Sequence, residues 1–290
     1  MKVIITTLTW NSGAKIPRLY PSLIKNLDAI PDLDWHWYIR DNGSKDETVN
    51  TIKSWNHPRI HLFEAGHNRH NFAEGQQTLA YVALSGEDSL REPKDCKFAD
   101  LNVDLTDTHL LLMNDDVEFV DEVSLQKMLD LMNSDEKIGI VGCRLLYHGT
   151  NLLQHSGTIF STKYNGLPYH YRHGVESDAD AEKNRYFQAV TGAVSLIRMT
   201  DFVKVEGFDL NLIWAFCDVC LNVKIGCTGQ KIAYCGGTKI YHEESASLKK
   251  NPVNKLFVNH NVAHFKKHYQ DKVQMDLEKY QADPNYNVIP

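Results

Sequence analysis

Leu110, Leu111, Leu112 and Met113 run without a break into Asn114, Asp115, Asp116 and Val117. An unbroken apolar run of this length, with polar flanks, fits a strand covered on both faces of a parallel sheet. In open α/β sheets, ligands bind beyond the carboxyl ends of the strands. Two carboxylates and an amide at such an end suit a hard divalent cation, Mg²⁺ or Mn²⁺. Asn and Asp also build ordinary turns. Taken alone, the stretch fits a metal site and a plain turn equally well.

The residues before it repeat one pattern. Val3, Ile4, Ile5, Thr6 and Thr7 predict a first strand, and residues 9–13 a loop. Ile16, Leu19, Leu23, Ile24, Leu27 and Ile30 fall at helical spacing. A second strand over 35–39 ends in Arg40, Asp41, Asn42, Gly43 and Ser44. Ser44 with Glu47 reads as a capping box opening a helix to about residue 55. A strand over 60–63, a polar loop over 66–71 and a helix over 72–84 follow. Strand–helix alternation of this kind predicts a parallel sheet with right-handed crossovers. Residues 85–108 are charged and lack apolar periodicity, so they read as an excursion before the 110–113 strand.

After the Asn-Asp-Asp turn the spacing predicts a helix over 123–132 and short strands over 138–141 and 143–147. Residues 148–186 are irregular and rich in His, Tyr and Gly. Short helices are expected over 200–205 and 218–225, and strands over 231–234 and 239–241. His242, Glu243, Glu244 and Ser245 close that segment. A helix over 254–269 interleaves Lys and His with apolar positions. The last twenty residues are polar and are expected to be loosely held.

With 290 residues, 42% hydrophobic and 23% charged, the chain is able to bury the core of one large α/β domain. Its net charge of −6 argues against stable nucleic-acid binding. No apolar run reaches the roughly 18–20 residues that span a bilayer. The first residues read as a strand, not a signal peptide, and a cytoplasmic location is the expectation. Six cysteines at irregular spacing do not form a disulfide framework. Cys217, Cys220, Cys227 and Cys235 invite a zinc or redox reading. They lack the second close pair of most zinc sites, so buried small hydrophobes are expected.

The order of these signals resembles family 2 glycosyltransferases of the GT-A fold, over residues 2 to about 247. The resemblance is carried by Thr9-Trp10-Asn11, Asp41-Asn42-Gly43-Ser44, Asn114-Asp115-Asp116-Val117, Val190-Thr191-Gly192-Ala193, Val205-Glu206-Gly207-Phe208-Asp209, Asp218, Gly229 and Tyr241-His242-Glu243-Glu244-Ser245. Two departures stand out. Cys217 and Cys220 flank Asp218 where the family often has carboxylates. Asn68 to Ala73 is one residue longer than the family's donor-loop motif.

The resemblance implies an α/β GT-A fold with a mostly parallel central sheet flanked by helices. It implies one domain over 1–250, with a nucleotide-sugar-binding half over 1–118 and an acceptor-binding half over 119–250, then a C-terminal helical tail over 251–290. It implies metal-dependent, inverting transfer of a sugar from a nucleotide donor, a UDP-sugar above all. Asp116 and His242 would hold Mn²⁺ or Mg²⁺. Thr7, Thr9, Trp10, Asp41, Asn114 and Asp115 would line the nucleotide site, with Asp41 against the base. Asp218 would be the general base, and Trp214 and Gly192 would face the acceptor. Each residue has a plainer role open to it: Asp41 as turn former, Trp10 and Trp214 as core, Asp218 as a helix N-terminal carboxylate, His242 as a turn cap. Glycan, lipid-linked, protein and modified-base acceptors all stay open, as does peripheral membrane contact through the basic 255–268 helix. Two other readings are a non-catalytic nucleotide-sugar binder of the same fold and a sugar-phosphate nucleotidyltransferase. The nucleotidyltransferase would need a Gly- and Lys/Arg-rich phosphate loop that residues 9–18 do not supply.

Overall fold

The computed structural model describes residues 1–213, 215–243 and 253–290. Its first half follows the expected alternation: β1 (Lys2–Thr9), α1 (Ile16–Asp28), β2 (Asp34–Asp41), α2 (Thr48–Ser54), β3 (Ile60–Glu64), α3 (Phe72–Ser85) and β4 (Thr108–Met113). The rest of the chain comprises β5 (Val117–Phe119), α4 (Ser124–Ser134), β6 (Ile138–Tyr147), β7 (Leu153–His155), β8 (Thr158–Phe160), β9 (Pro168–His170), β10 (Arg185–Phe187), β11 (Val194–Arg198), α5 (Met199–Lys204), α6 (Cys217–Gly226), β12 (Lys231–His242), α7 (Val253–His268) and α8 (Leu277–Ala282).

One sheet runs through the molecule in the order β10-β12-β6-β11-β4-β1-β2-β3. β3, β2, β1 and β4 are mutually parallel, as are β6 and β12. β11 is antiparallel between β4 and β6 and joins the two parallel blocks. Every residue of β4 is buried, as a strand covered on both faces must be. One face packs under α1, α2 and α4, and the other under α3, α5, α6 and α7.

Several boundaries differ from the sequence expectation. α2 starts at Thr48, and its first turn is fastened by the Asp46 carboxylate, which accepts the Thr48 N–H at 3.1 Å. Ser44 bonds Asp41 instead of capping a helix. The capping box lies at α3, where Asn71 and Glu74 satisfy each other's backbone N–H. The two strands expected over 231–241 are one, β12, with an irregularity between Cys235 and Ile240. A Cβ on Gly236 would lie 2.5 Å from the Glu182 backbone, so only glycine fits this close approach.

The excursion after α3 has two short 3₁₀ turns and a buried anchor. Phe98 is fully buried, edge-on to Phe202 at 5.3 Å. The Glu206 carboxylate accepts the N–H groups of Phe98 (3.0 Å) and Ala99 (2.9 Å). The final residues, expected to be loose, are docked. Asp276 accepts the Phe160 N–H at 2.8 Å, and its own N–H bonds Phe160 O at 2.9 Å. Tyr280 is buried and stacks on Phe187 at 4.6 Å. The anchors are isolated aromatic residues without periodicity, which is why the pattern reads as a loose tail.

Cys217 and Cys220 lie in the core on α6, and burial pushes both thiols well above their ordinary range. Among the described residues no cluster of three or more His, Cys, Asp or Glu is placed to hold a metal by itself. No described helix is long and apolar enough to cross a membrane.

Candidate active site at the carboxyl ends of the parallel strands

The turn after β4 and the end of β12 meet. β5 pairs antiparallel with β12, so that His242 lies opposite Val117. The His242 imidazole Nε2 is then 3.1 Å from Asp116 Oδ1. On its other side, His242 Nδ1 lies 2.7 Å from the amide oxygen of Gln154, a buried residue of β7. The carbonyl oxygen can only accept, so Nδ1 carries the hydrogen and Nε2 presents its lone pair in the neutral ring. Asn114 Nδ2 lies 3.2 Å from that same Nε2.

Asp116 Oδ1 is buried and receives no hydrogen bond. An orphaned carboxylate oxygen beside an imidazole lone pair is a costly arrangement in a folded protein and a fitting one for a cation. Its donor set, one carboxylate oxygen and one imidazole nitrogen, suits Mn²⁺ or Mg²⁺, with phosphate oxygens from a ligand making up the rest. A hydrogen bond from Nδ1 to the Gln154 oxygen is of the kind that orients metal-ligating histidines. Burial alone would raise the Asp116 carboxyl. Where the imidazole is protonated, it and Lys15 outweigh burial and hold the carboxyl below the usual range. Asp115 differs: burial, then the neighbouring Asp116 charge, pushes it up to about 6. Its carboxylate accepts from the Ser12 hydroxyl, so Asp115 links this turn to the loop after β1.

Asp218 enters through β11. The Asn114 N–H bonds Ala193 O at 2.8 Å, and the adjacent Gly192 N–H bonds Asp218 Oδ2 at 2.8 Å. A Cβ on Gly192 would lie 3.0 Å from the Asp218 Cβ, so glycine lets the carboxylate approach the strand end. Asp218 is in the first turn of α6, where the helix dipole favours a negative charge. The residue before α6, Phe216, has φ +67, a strained conformation for an aromatic side chain.

The other expected site residues divide. Asp41 is buried, and its carboxylate accepts from Thr9 Oγ1, the Gly43 N–H, the Ser44 N–H and the Ser44 hydroxyl. These four bonds use the capacity of an ionised carboxylate, so Asp41 organises the turn that follows β2. Thr7 does not reach the crevice: it is fully buried and accepts from the Trp37 indole N–H at 2.9 Å. Trp10 is 48% exposed, which excludes a core role and leaves its ring free beside the loop. Trp214 lies outside the described residues. Sequence reasoning missed Ser12, Lys15 and Gln154. Ser12 and Lys15 sit in the first loop, and Gln154 lies in the stretch read as irregular, so no periodicity marks them.

A separate cavity of about 730 Å³ lies between α6 and α7. Its carboxylate, Asp209, is already engaged by His264, Tyr269 and Asn211, and the cavity includes none of the residues above.

The architecture has close counterparts among solved structures. GalNAc-T7 with UDP, GalNAc and Mn²⁺ superposes with a TM-score of 0.61 at 12% identity, covering 99% of this chain and 55% of that one. The mannosyltransferase PcManGT of Pyrobaculum calidifontis, with GDP-Man and Mn²⁺, gives 0.56 at 15% identity, covering 96% and 69%. S. aureus TarS 1-349 with UDP-GlcNAc gives 0.54 at 12% identity, covering 85% and 60%. The chain has the GT-A glycosyltransferase fold. In the GT-A frame, the turn after β4, the end of β12 and the start of α6 converge at the carboxyl ends of the parallel strands. Curated relatives match in part. The O-antigen biosynthesis protein RfbC of Myxococcus xanthus is 30% identical over 149 residues, half of this chain and 12% of that protein. The uncharacterized protein y4gI of Sinorhizobium fredii is 30% identical over 142 residues, 47% of this chain and 15% of that protein. The chain thus spans a small fraction of the curated relatives it matches. No family model matches it.

Proposed function

We propose that the chain is a metal-dependent, inverting glycosyltransferase of family 2 type that moves a sugar from a nucleotide donor, a UDP-sugar for preference, to a hydroxyl acceptor. The observation that carries this reading is the orphaned Asp116 Oδ1 beside a His242 ring whose tautomer is set by Gln154. That pair, from distant parts of the chain, presents a carboxylate oxygen and, in the neutral ring, an imidazole nitrogen 3.1 Å apart. Solved structures of the same fold hold UDP, GalNAc and Mn²⁺ or GDP-Man and Mn²⁺, and half the chain matches part of an O-antigen biosynthesis protein.

Asp116 and His242 would hold the ion, which when bound neutralises charge growing on the leaving diphosphate. Asn114, 3.2 Å from the same Nε2, would give up that contact to the ion, and Gln154 keeps the imidazole in place. Ser12, through Asp115, ties the nucleotide-side loop to the metal turn. Asp218 acts as general base. Its Oδ2 is fixed by the Gly192 N–H and its Oδ1 by the Val219 N–H at 2.8 Å, and each oxygen keeps a lone pair for an acceptor hydroxyl. A carboxylate is a weak base that works only when held within hydrogen-bond reach of the proton it takes. Attack from the side opposite the leaving group inverts the anomeric centre.

A UDP-release screen across nucleotide sugars, with Mn²⁺ and candidate hydroxyl acceptors, tests the reading. Asp218→Asn should keep UDP affinity and lose transfer by roughly 10²–10⁴-fold. Full activity in that variant removes Asp218 as base. A chain that binds UDP but releases none from any donor is a binder, not a transferase.

A further inference from the structure

The loop after β1 and the first turn of α1 contact three acidic residues, two in the turn after β4 and one that follows His242. Ser12 donates to Asp115, Lys15 Nζ lies 3.6 Å from Asp116 Oδ2, and Arg18 pairs with Glu243. The middle contact has a consequence for ligand binding. The two oxygens of Asp116 are divided: Oδ1 faces His242 and Oδ2 faces Lys15. Among the described residues, Lys15 is the lysine or arginine within ion-pair distance of Asp116. The Asp116 side chain is 11% exposed and that of Lys15 is 23% exposed, so the pair is shielded from much of the solvent.

We infer that Lys15 is a resident cation of the metal turn: it compensates Asp116 before a divalent ion arrives, opposes that ion's binding on its own, and turns to the donor's diphosphate once both are present. The inference rests on the metal-dependent reading above. An ion at Oδ1 and an ammonium at Oδ2 would share one carboxylate and repel each other. A nucleoside diphosphate brings the negative charge that relieves this repulsion. Lys15 can follow that charge. Its backbone is fixed, with its N–H on Ser12 O at 2.9 Å, while a lysine side chain is a point charge on a flexible four-carbon stem. The same residue therefore weakens the metal alone and strengthens the nucleotide with metal. A lysine serving only to hold the loop would not produce opposite signs.

Lys15→Met and Lys15→Arg should be compared with wild type in two titrations: Mn²⁺ without nucleotide, followed by the EPR signal of free Mn²⁺, and UDP by calorimetry in saturating Mn²⁺. Lys15→Met should bind Mn²⁺ about fivefold tighter, the worth of one modest ion pair. It should bind UDP about tenfold weaker, and Lys15→Arg should follow wild type in both. Wild-type affinity of Lys15→Met for both ligands, or a loss of both together, overturns the inference and leaves the metal reading standing. Wild-type protein that takes up no Mn²⁺ overturns the metal reading itself and the inference with it.

Discussion

His109 shows what burial alone can do to a titratable group in this sheet. It lies in β4 and is 1% exposed. Burial, and then the charge of Arg198, push the imidazole from 6.5 down to about 4. Between those values the unfolded chain takes up a proton that the folded chain refuses. Stability therefore rises with pH across this window and is lost as pH falls through it, at up to about 1.4 kcal/mol per pH unit from this group. Urea unfolding at pH 7 and pH 4.5 should show this slope, and His109→Gln should flatten it; an unchanged slope would assign the acid sensitivity elsewhere. At the same scale, the sequence made some site residues legible and not others. Asp116, His242 and Asp218 stand out because chemistry-bearing residues follow strand ends or open a helix. Asp41 stands out for the same reason, yet its carboxylate is consumed by its own turn. Thr7 looks like a crevice residue until strand alternation turns it toward Trp37. Lys15 and Gln154 act through contacts with residues far along the chain, which no local pattern records.

Among the elements, the excursion between α3 and β4 depends most on one side chain. Glu206 has φ +56, a left-handed backbone, and its carboxylate holds the Phe98 and Ala99 N–H groups. The chain accepts the backbone cost of a non-glycine residue here and gains a clamp. Glu206→Ala should lose about 1–2 kcal/mol of stability, the worth of two partly solvated hydrogen bonds. It should also speed proteolysis within residues 86–107. Glu206→Gly should lose less stability because glycine adopts the left-handed conformation freely. Equal losses would mean that the backbone strain counts for little, and no loss would mean that Phe98 alone anchors the segment. Helix starts were the least legible element feature. Ser44 and Glu47 have the spacing of a capping box, but Asp41 competes for the Ser44 hydroxyl and wins, so α2 begins at Thr48.

For the whole molecule, the parallel block β3-β2-β1-β4 was legible because buried parallel strands are written as unbroken apolar runs between helices. The joining role of β11 was not, since an antiparallel strand buried on both faces reads like its parallel neighbours. Nor was the docking of the final residues, which rests on a few aromatic contacts and on Asp276. The topology matters for function because it brings the β4 turn, the end of β12 and the start of α6 to one place. The most direct test of that convergence is calorimetry of UDP with and without Mn²⁺ on wild type, Asp116→Ala and His242→Ala. UDP binding should be strengthened by Mn²⁺ in wild type, and each variant should lose at least about tenfold of that affinity. Wild-type binding indifferent to Mn²⁺, or variants that keep the full Mn²⁺ effect, would contradict a metal site built from Asp116 and His242.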